Sequence, residues 1–292
     1  MTVSNIMIIL AILASLLVSC AGKVDSKAPS HNTSPTISEP STEVKKALAN
    51  QPQSPPVKMV IITDKTGSAD WSRIEQPELK DFQSLLLLLK KNGGELAVGN
   101  FCDDSNLALA RLRVEQQPVL EKAVFNHPVP PVKPTNQGNA FQYRKDMDEY
   151  KENFAEYETL HQQDLQILAE YNNSVQEWQT QSEEKIKEFM TGQLQPILAR
   201  PVDCGMSDIQ GGINRAKLFL AESDATWRQT PEKFAVFITD GLDNVGMEAA
   251  EFDTDAEVLL VNGAASKGIF DNIEHQAFES VPAAFQYLAT QL

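Results

Sequence analysis

Three short polar side chains follow an apolar run near the start of the sequence, and their types and spacing could bind a metal ion. Asp64, Thr66 and Ser68 alternate after residues 57–62, and Gly67 gives the turn conformational freedom. The apolar run is typical of a strand buried on both faces of a parallel sheet. Divalent cations such as Mg²⁺ prefer oxygen ligands, and ligands of open parallel sheets lie outside the carboxyl ends of the strands. The sequence therefore favours an oxygen-rich metal site here, while a simple polar turn is the alternative.

Two later stretches strengthen the metal hypothesis. A second buried strand at 234–239 ends in Asp240, which is followed by Gly241. Between the two strands, a loop that leads into a helix contains Ser207 and Asp208. Asp208 can accept backbone N–H bonds at the start of that helix, so we expect it to be a cap rather than a ligand.

The three motifs together resemble the von Willebrand factor type A (VWA) domain, a family with a metal-ion-dependent adhesion site (MIDAS). They are Asp-x-Thr-x-Ser after a first strand, Ser-Asp before a helix, and Thr-Asp-Gly after a later strand. The resemblance covers about residues 57–112 and 202–292. Thr66 stands where many members of the family have Ser, a change that keeps the hydroxyl group.

The resemblance implies a ligand set and an ion. The Thr66 and Ser68 hydroxyls would bind the ion, and Ser207 would be the switchable ligand. The carboxylates of Asp64 and Asp240 would bind the ion directly or through water. Mg²⁺ is the expected ion, with Mn²⁺ or Ca²⁺ as alternatives. The full metal set is Asp64, Thr66, Ser68, Ser207 and Asp240.

The N-terminal residues resemble the export signal of a bacterial lipoprotein. Residues 1–20 contain no Asp, Glu, Lys or Arg, and an apolar run leads to Leu-Val-Ser-Cys, as in a lipobox. The resemblance implies that Cys20 becomes lipidated after cleavage; an uncleaved membrane anchor is the alternative. Either places the rest of the chain outside the cytoplasm, at the cell membrane or outer membrane, facing the periplasm or the exterior. Residues 21–56, rich in Ser, Thr and Pro, are expected to form a disordered tether.

Residues 115–201 interrupt the VWA-like pattern. A proline-rich piece comes first, and 141–195 then carries apolar and aromatic residues near a seven-residue repeat, without Gly or Pro between Asn139 and Thr191. A break at 172–174 would fold this helix into a hairpin. The sequence leaves open a local helical pair and a coiled-coil arm for self-association or partner capture. The repeat consists of Met147, Tyr150, Phe154, Tyr157, His161, Leu168, Tyr171, Val175, Trp178 and Phe189.

Alternating strand and helix signals predict the fold class. We expect an α/β chain with a doubly wound, mainly parallel sheet, formed by 57–114 and 202–292, with the long α-helical insertion between them. A first helix is expected to start at Gln76 and to end before Gly93. Residues 107–114 are expected to form an edge strand.

Charge and cysteine content limit the classes of partner. A formal net charge of -15 argues against nucleic acid, which needs a basic surface. Once Cys20 is assigned to lipid, Cys102 and Cys204 form an even pair in an oxidising compartment. A disulfide bond between them is one alternative, and two free thiols are the other.

We therefore expect a binding protein and not an enzyme. In the VWA family, an open position on the metal takes a carboxylate from a protein partner. The alternative is a metal-free interaction protein that acts through its helical insertion. A metal-dependent hydrolase is less favoured, because the motif stretches contain no well-placed general base and no phosphate-binding glycine loop.

Overall fold

A six-stranded, mostly parallel β-sheet carries the candidate site. Its order is β3-β2-β1-β4-β5-β6. Only the pairing of β2 with β3 is antiparallel, and the other four pairings are parallel. The strands are β1 Val57–Asp64, β2 Gly94–Phe101, β3 Ala110–Val114, β4 Glu232–Ile238, β5 Glu257–Val261 and β6 Gln276–Phe278.

The computed structural model describes most of the chain after residue 53. The chain divides into two units, Met1–Ser38 and Glu39–Leu292, and every described residue belongs to the second. The described residues are 45, 47, 54–67, 69, 74–103, 105, 108–121, 124–126, 128–136, 138–241, 251–261 and 269–291.

Helices pack on both faces of the sheet, because each face of the central strands is apolar. Alternate residues of β1 point to opposite sides. Met59 and Ile61 belong to the core that includes α1 and α5, whereas Val60 and Ile62 pack with α4. The prediction of an α/β chain with a mainly parallel sheet is confirmed. The helices are α1 Gln83–Asn92, α2 Ala140–Phe189, α3 Gln195–Leu198, α4 Ile209–Leu220 and α5 Val281–Gln291.

The first helix begins later than the sequence indicates. A turn precedes α1, and in it the Asp81 carboxylate accepts a hydrogen bond from the Glu78 backbone N–H at 2.7 Å. Side chains of this kind compete with a helix for backbone groups. The helix therefore starts at Gln83 and not at Gln76.

The insertion contains one long helix instead of a hairpin. Helix α2 has 50 residues and is about 75 Å long at about 1.5 Å per residue. The Asn139 side chain caps its start by accepting hydrogen bonds from the Phe141 and Gln142 backbone N–H groups. A π-helical turn, Met190–Leu194, joins its end to α3. The exposed residues 172–174 remain helical, so the break that the sequence left open does not occur.

No helix in the described ranges is both sufficiently long and sufficiently apolar to span a membrane.

Helix α4 lies unusually close to β2 at Gly212. A Cβ atom at Gly212 would lie 2.2 Å from the Phe101 ring, whereas one at Gly192, beyond α2, would meet nothing within 4 Å. We expect Gly212→Ala to lower the free energy of unfolding by about 1–3 kcal/mol, because overpacking forces the core apart. Gly192→Ala should leave it unchanged or raise it by up to about 1 kcal/mol.

Urea denaturation of the two variants and the wild type measures this difference. Equal stabilities of the two variants would contradict the close packing of α4 on β2.

Candidate metal centre

Register brings the ends of β1 and β4 together at one edge of the sheet. In the parallel pairing, Thr63 lies opposite Ile238, so the residues that follow each strand are neighbours. Asp64 therefore meets Thr239 and Asp240, although 175 positions separate Asp64 from Thr239 in the sequence. Two acidic residues from distant parts of the chain thus share the carboxyl edge of the sheet, where ligands of such sheets are bound.

The Asp64 carboxylate is fully buried, with both of its oxygens fixed. Oδ1 accepts hydrogen bonds from the Thr66 backbone N–H at 2.9 Å and from the Thr66 hydroxyl at 2.6 Å. Oδ2 accepts one from the Thr239 hydroxyl at 2.7 Å. Because hydrogen-bonded carboxylates keep further lone pairs, Asp64 can still contribute oxygen to a cation.

Burial raises the pKa of the Asp64 carboxyl above its usual range, because a charge is costly to desolvate. Hydrogen bonds from Thr66 and Thr239 oppose this shift, whereas the negative charge of Asp240 adds to it. The Asp64 and Asp240 carboxylates are therefore close enough to repel each other. A positive charge between them would offset both the desolvation and the repulsion.

Thr66 presents its hydroxyl at the same edge. Its side chain is buried, and it donates the hydroxyl proton to Asp64. A hydroxyl that donates its proton keeps two lone pairs for other interactions. Thr66 is therefore in the correct state to be a cation ligand.

Ser207 contributes a buried hydroxyl whose hydrogen-bonding capacity is unused. The side chain is 0% exposed, and Oγ has no hydrogen-bond partner in the described part of the chain. Leaving such a group unpaired costs about 1–3 kcal/mol. Thr63 Oγ1 and Asn100 Oδ1, each one residue before a strand end, are also unpaired. Of the three, only Ser207 belongs to the ligand set that the sequence predicts.

The loop that carries Ser207 is held to the rest of the edge by several bonds. Cys204 forms a disulfide with Cys102, with a Cα–Cα distance of 5.4 Å. The Cys204 backbone also pairs with the loop after β1, donating to Lys65 O at 3.0 Å and accepting from the Gly67 N–H at 3.0 Å. These contacts hold the start of the loop that carries Ser207 against residues 65–67, directly after Asp64.

Asp208 caps helix α4, as the sequence predicts. Its Oδ1 accepts a hydrogen bond from the Gly211 backbone N–H at 2.9 Å. Its Oδ2 accepts from the Ser105 backbone N–H at 3.1 Å. With both oxygens used by backbone donors, Asp208 fixes the loop and is not needed as a ligand.

The donors at this edge fit a hard divalent cation, since they are carboxylate and hydroxyl oxygens. Within the described residues, no group of three or more His, Cys, Asp or Glu side chains could hold a metal ion. The candidate centre is of another kind, with two carboxylates and two hydroxyls. Ser68 and Cys20 lie outside the described residues.

Sequence reasoning missed one member of the site. Thr239 fixes Asp64 Oδ2 and also accepts a hydrogen bond from the Gly241 N–H at 3.0 Å. The motif Thr-Asp-Gly includes Thr239, but its role depends on its position across the sheet from Asp64. Aligning the end of β1 with the end of β4 in a parallel pair would have placed Thr239 beside Asp64 from the sequence.

Comparisons with known proteins give no family. No family model matches this chain, and no curated protein matches it. Among solved structures, proximal thread matrix protein 1 from the mussel byssus aligns with a TM-score of 0.34 and 11% identity, over 82% of this chain and 48% of that one. The pilus adhesin SpaC from Lactobacillus rhamnosus GG gives 0.35 and 11%, over 82% and 31%. This chain spans less than half of each, and likeness at this level carries no functional argument.

The raised pKa of Asp64 predicts how stability depends on pH without metal. A raised folded-state pKa means that the folded protein holds the proton more tightly. The contribution of the protonated Asp64 carboxyl to the free energy of unfolding is therefore fully present below about pH 4. It is lost as the pH rises through the pKa of the folded state. Asp64→Asn removes this dependence, and the Thr239 hydroxyl can accept from its amide. We therefore expect the stability of Asp64→Asn, relative to wild type, to increase from pH 4 to pH 8 in metal-free buffer.

Urea denaturation across this pH range tests the expectation, with Asp203→Asn as a control. Asp203 is an exposed carboxylate in the same loop as Ser207, so its removal should change the pH dependence far less. A relative stability of Asp64→Asn that decreases with pH would contradict the assignment.

Proposed function

We propose that this chain is an exported, membrane-anchored protein with a VWA-type domain, which binds a protein partner through a divalent metal site. The observation that carries the proposal is the buried Asp64 carboxylate, braced by Thr66 and Thr239 and facing the charge of Asp240. The unpaired hydroxyl of Ser207 lies in the adjoining loop. We propose Mg²⁺ as the ion, with Mn²⁺ or Ca²⁺ as alternatives.

Each residue would have a distinct part in holding the ion. Asp64 and Asp240 would supply negative charge, and Thr66 and Ser207 would supply neutral hydroxyl oxygens; Ser68 would complete the Asp-x-Thr-x-Ser motif. Two carboxylates balance a divalent charge without an excess. The bound ion would supply a Lewis-acidic position that can accept a carboxylate oxygen from an Asp or Glu of the partner.

The arrangement of the sheet supports the finer fold assignment. Strand β1, which carries the first motif, lies between β2 and β4, and β4 leads into the last motif. The antiparallel edge strand β3 lies where the resemblance implies one. We therefore propose a VWA-type fold for 57–114 and 202–292, with 115–201 as an insertion.

The disulfide bond supports export. Disulfides persist in oxidising compartments and are rare in the cytosol, and Cys102 and Cys204 are paired. This agrees with the lipoprotein signal inferred for residues 1–20. We propose that lipid on Cys20 anchors the protein at the cell membrane or outer membrane, with the domain facing the periplasm or the exterior.

A second candidate function is a metal-free interaction through the helical insertion. Its support is the long helix α2, in which only Asp164, Ser182 and Phe189 are buried. Such a helix offers a large surface for a partner or for self-association through 141–195. A hydrolase remains the least supported reading, and we do not propose an enzyme.

Ser207→Ala separates a metal ligand from a structural serine. Because its hydroxyl is buried and unpaired, we expect its removal to leave the metal-free protein equally stable, or more stable by up to about 1 kcal/mol. The same change should weaken Mg²⁺ binding at least about tenfold, or about 1.4 kcal/mol. Calorimetric titration and thermal unfolding, each with and without Mg²⁺, measure the two effects.

Ser105→Ala is the matched control. Ser105 is equally buried, but its hydroxyl donates to Asp208 O at 2.7 Å. Its loss should lower stability by about 1 kcal/mol and leave Mg²⁺ affinity nearly unchanged. Absence of Mg²⁺, Mn²⁺ and Ca²⁺ binding by the wild type would refute the metal site.

Partner binding distinguishes the two candidate functions. If the metal site carries the interaction, proteins captured from native membranes in Mg²⁺ are lost in EDTA and lost with Asp64→Ala, but retained with Asp203→Asn. Capture that survives both EDTA and Asp64→Ala would favour the helical insertion as the binding element.

A further inference from the structure

A proline-rich segment follows one side of the long helix. Several hydrogen bonds tie it to α2. The two shortest run from the Trp178 ring N–H to Glu115 O, at 2.7 Å, and from the Asn126 backbone N–H to Asp164 Oδ1, at 2.8 Å. The later residue of the segment, Asn126, is bonded to the earlier residue of the helix, Asp164, so the segment and the helix run in opposite directions. We call this segment the strap, and its described residues are 115–121, 124–126 and 128–136.

The length of the strap requires it to stay beside the helix. Its second half begins at Asn126, fixed to Asp164, and leads to Asn139, which caps the start of α2. The helix from Ala140 to Asp164 is about 36 Å long at about 1.5 Å per residue. Thirteen residue steps separate Asn126 from Asn139, and they could cover about 40 Å at the polyproline II rise of about 3.1 Å per residue. The described strap residues after Asn126 therefore have little slack between these two fixed points.

The exposure of the strap repeats every three residues. Pro128, Pro131 and Pro134 are half-buried, whereas the described residues between them are exposed. Val132, for example, is 92% exposed. A polyproline II helix has three residues per turn, so these three prolines form one edge, which faces inward.

The side of α2 that holds Asp164, the helix partner of Asn126, continues toward the start of the helix at spacings of three and four residues. It carries a row of aromatic rings, which we call the aromatic face: Tyr150, Phe154, Tyr157 and His161. Successive ring centroids lie 5.7, 5.9 and 5.6 Å apart. All four residues are half-buried, whereas Phe141, in the first turn of the same helix, is 81% exposed. Rows of aromatic side chains are the surfaces on which polyproline II segments bind.

We propose that the aromatic face of α2 is a binding surface for extended, proline-rich peptides, and that the strap occupies it within the same chain. A partner with a polyproline II segment would have to displace the strap. Its apparent affinity is then reduced by the fraction of molecules in which the face is open. This surface is independent of the metal centre and can be examined in EDTA.

The test opens the surface without changing the helix. In the full chain, Pro128, Pro131 and Pro134 are replaced by Ser. The probe is a fluorescent synthetic peptide with the sequence of residues 124–136. We expect the variant to bind this peptide at least about tenfold more tightly than the wild type does by anisotropy, as its own strap no longer competes. Amide exchange in residues 143–161 should become faster at the same time.

The control replaces three exposed strap residues, Val129, Pro130 and Val132, by Ser. It loses a similar amount of apolar surface but keeps the inward edge, so its peptide binding and amide exchange should match the wild type. Circular dichroism verifies that both variants retain helix α2.

Three results would overturn the proposal. The first is equal amide exchange in the two variants, which would mean that the prolines do not cover the aromatic face. The second is peptide binding that is absent from the variant or equal in variant and wild type. The third is dimerisation of the variant by light scattering without peptide binding, which would make a second copy of α2 the occupant.

Discussion

The structure depends on a carboxylate buried at the end of its central strand. Asp64 is 0% exposed, at the end of a strand that has a parallel neighbour on each side. Burying a charge is favourable only when other groups compensate for the lost hydration. Thr66 and Thr239 supply hydrogen bonds, but Asp240 adds a like charge. The described protein atoms therefore compensate only in part for the cost of ionising this group, and carboxylates of this kind are concentrated at functional sites.

The loops around this carboxylate come from distant parts of the chain, and covalent and backbone bonds join them. The disulfide between Cys102 and Cys204 closes a segment of 102 positions, which contains the whole insertion. A crosslink over such a loop removes much conformational freedom from the unfolded chain, worth about 4–5 kcal/mol in the chain-entropy model. It also joins the loop that carries Ser207 to the end of β2, on the far side of the insertion. This explains how a helix of 50 residues can be inserted without separating the two halves of the site.

Local patterns predicted much of this arrangement, and what they could not predict depends on pairing between distant segments. The apolar runs predicted the central strands of the sheet, because strands that are buried on both faces of a parallel sheet are apolar along their whole length. The role of Thr239 required the register of β4 against β1. The proline-rich piece and the helix were both visible in the sequence, but their association was not, since nothing local shows that one covers the other. Likewise, a break at residues 172–174 would be needed only if a second helix had to pack against the first. The strap packs there instead, so the helix can remain continuous.

The insertion and the candidate metal centre are joined at the base of the long helix. Leu198, at the end of α3, accepts a hydrogen bond from Lys65 Nζ at 3.1 Å, and Ile197 O accepts one from Asn100 Nδ2 at 3.3 Å. Lys65 is buried between Asp64 and Thr66 in the chain, and its own carbonyl binds Cys204. Because burial lowers the pKa of this lysine, its contact with a carbonyl oxygen of the insertion compensates for part of the lost hydration. The residues that fix the loop after β1 therefore also fix the C-terminal end of the insertion. The aromatic face lies far along α2 and shares none of these contacts. The candidate metal centre and the aromatic face are therefore connected through α2 and α3, but they have no residue in common.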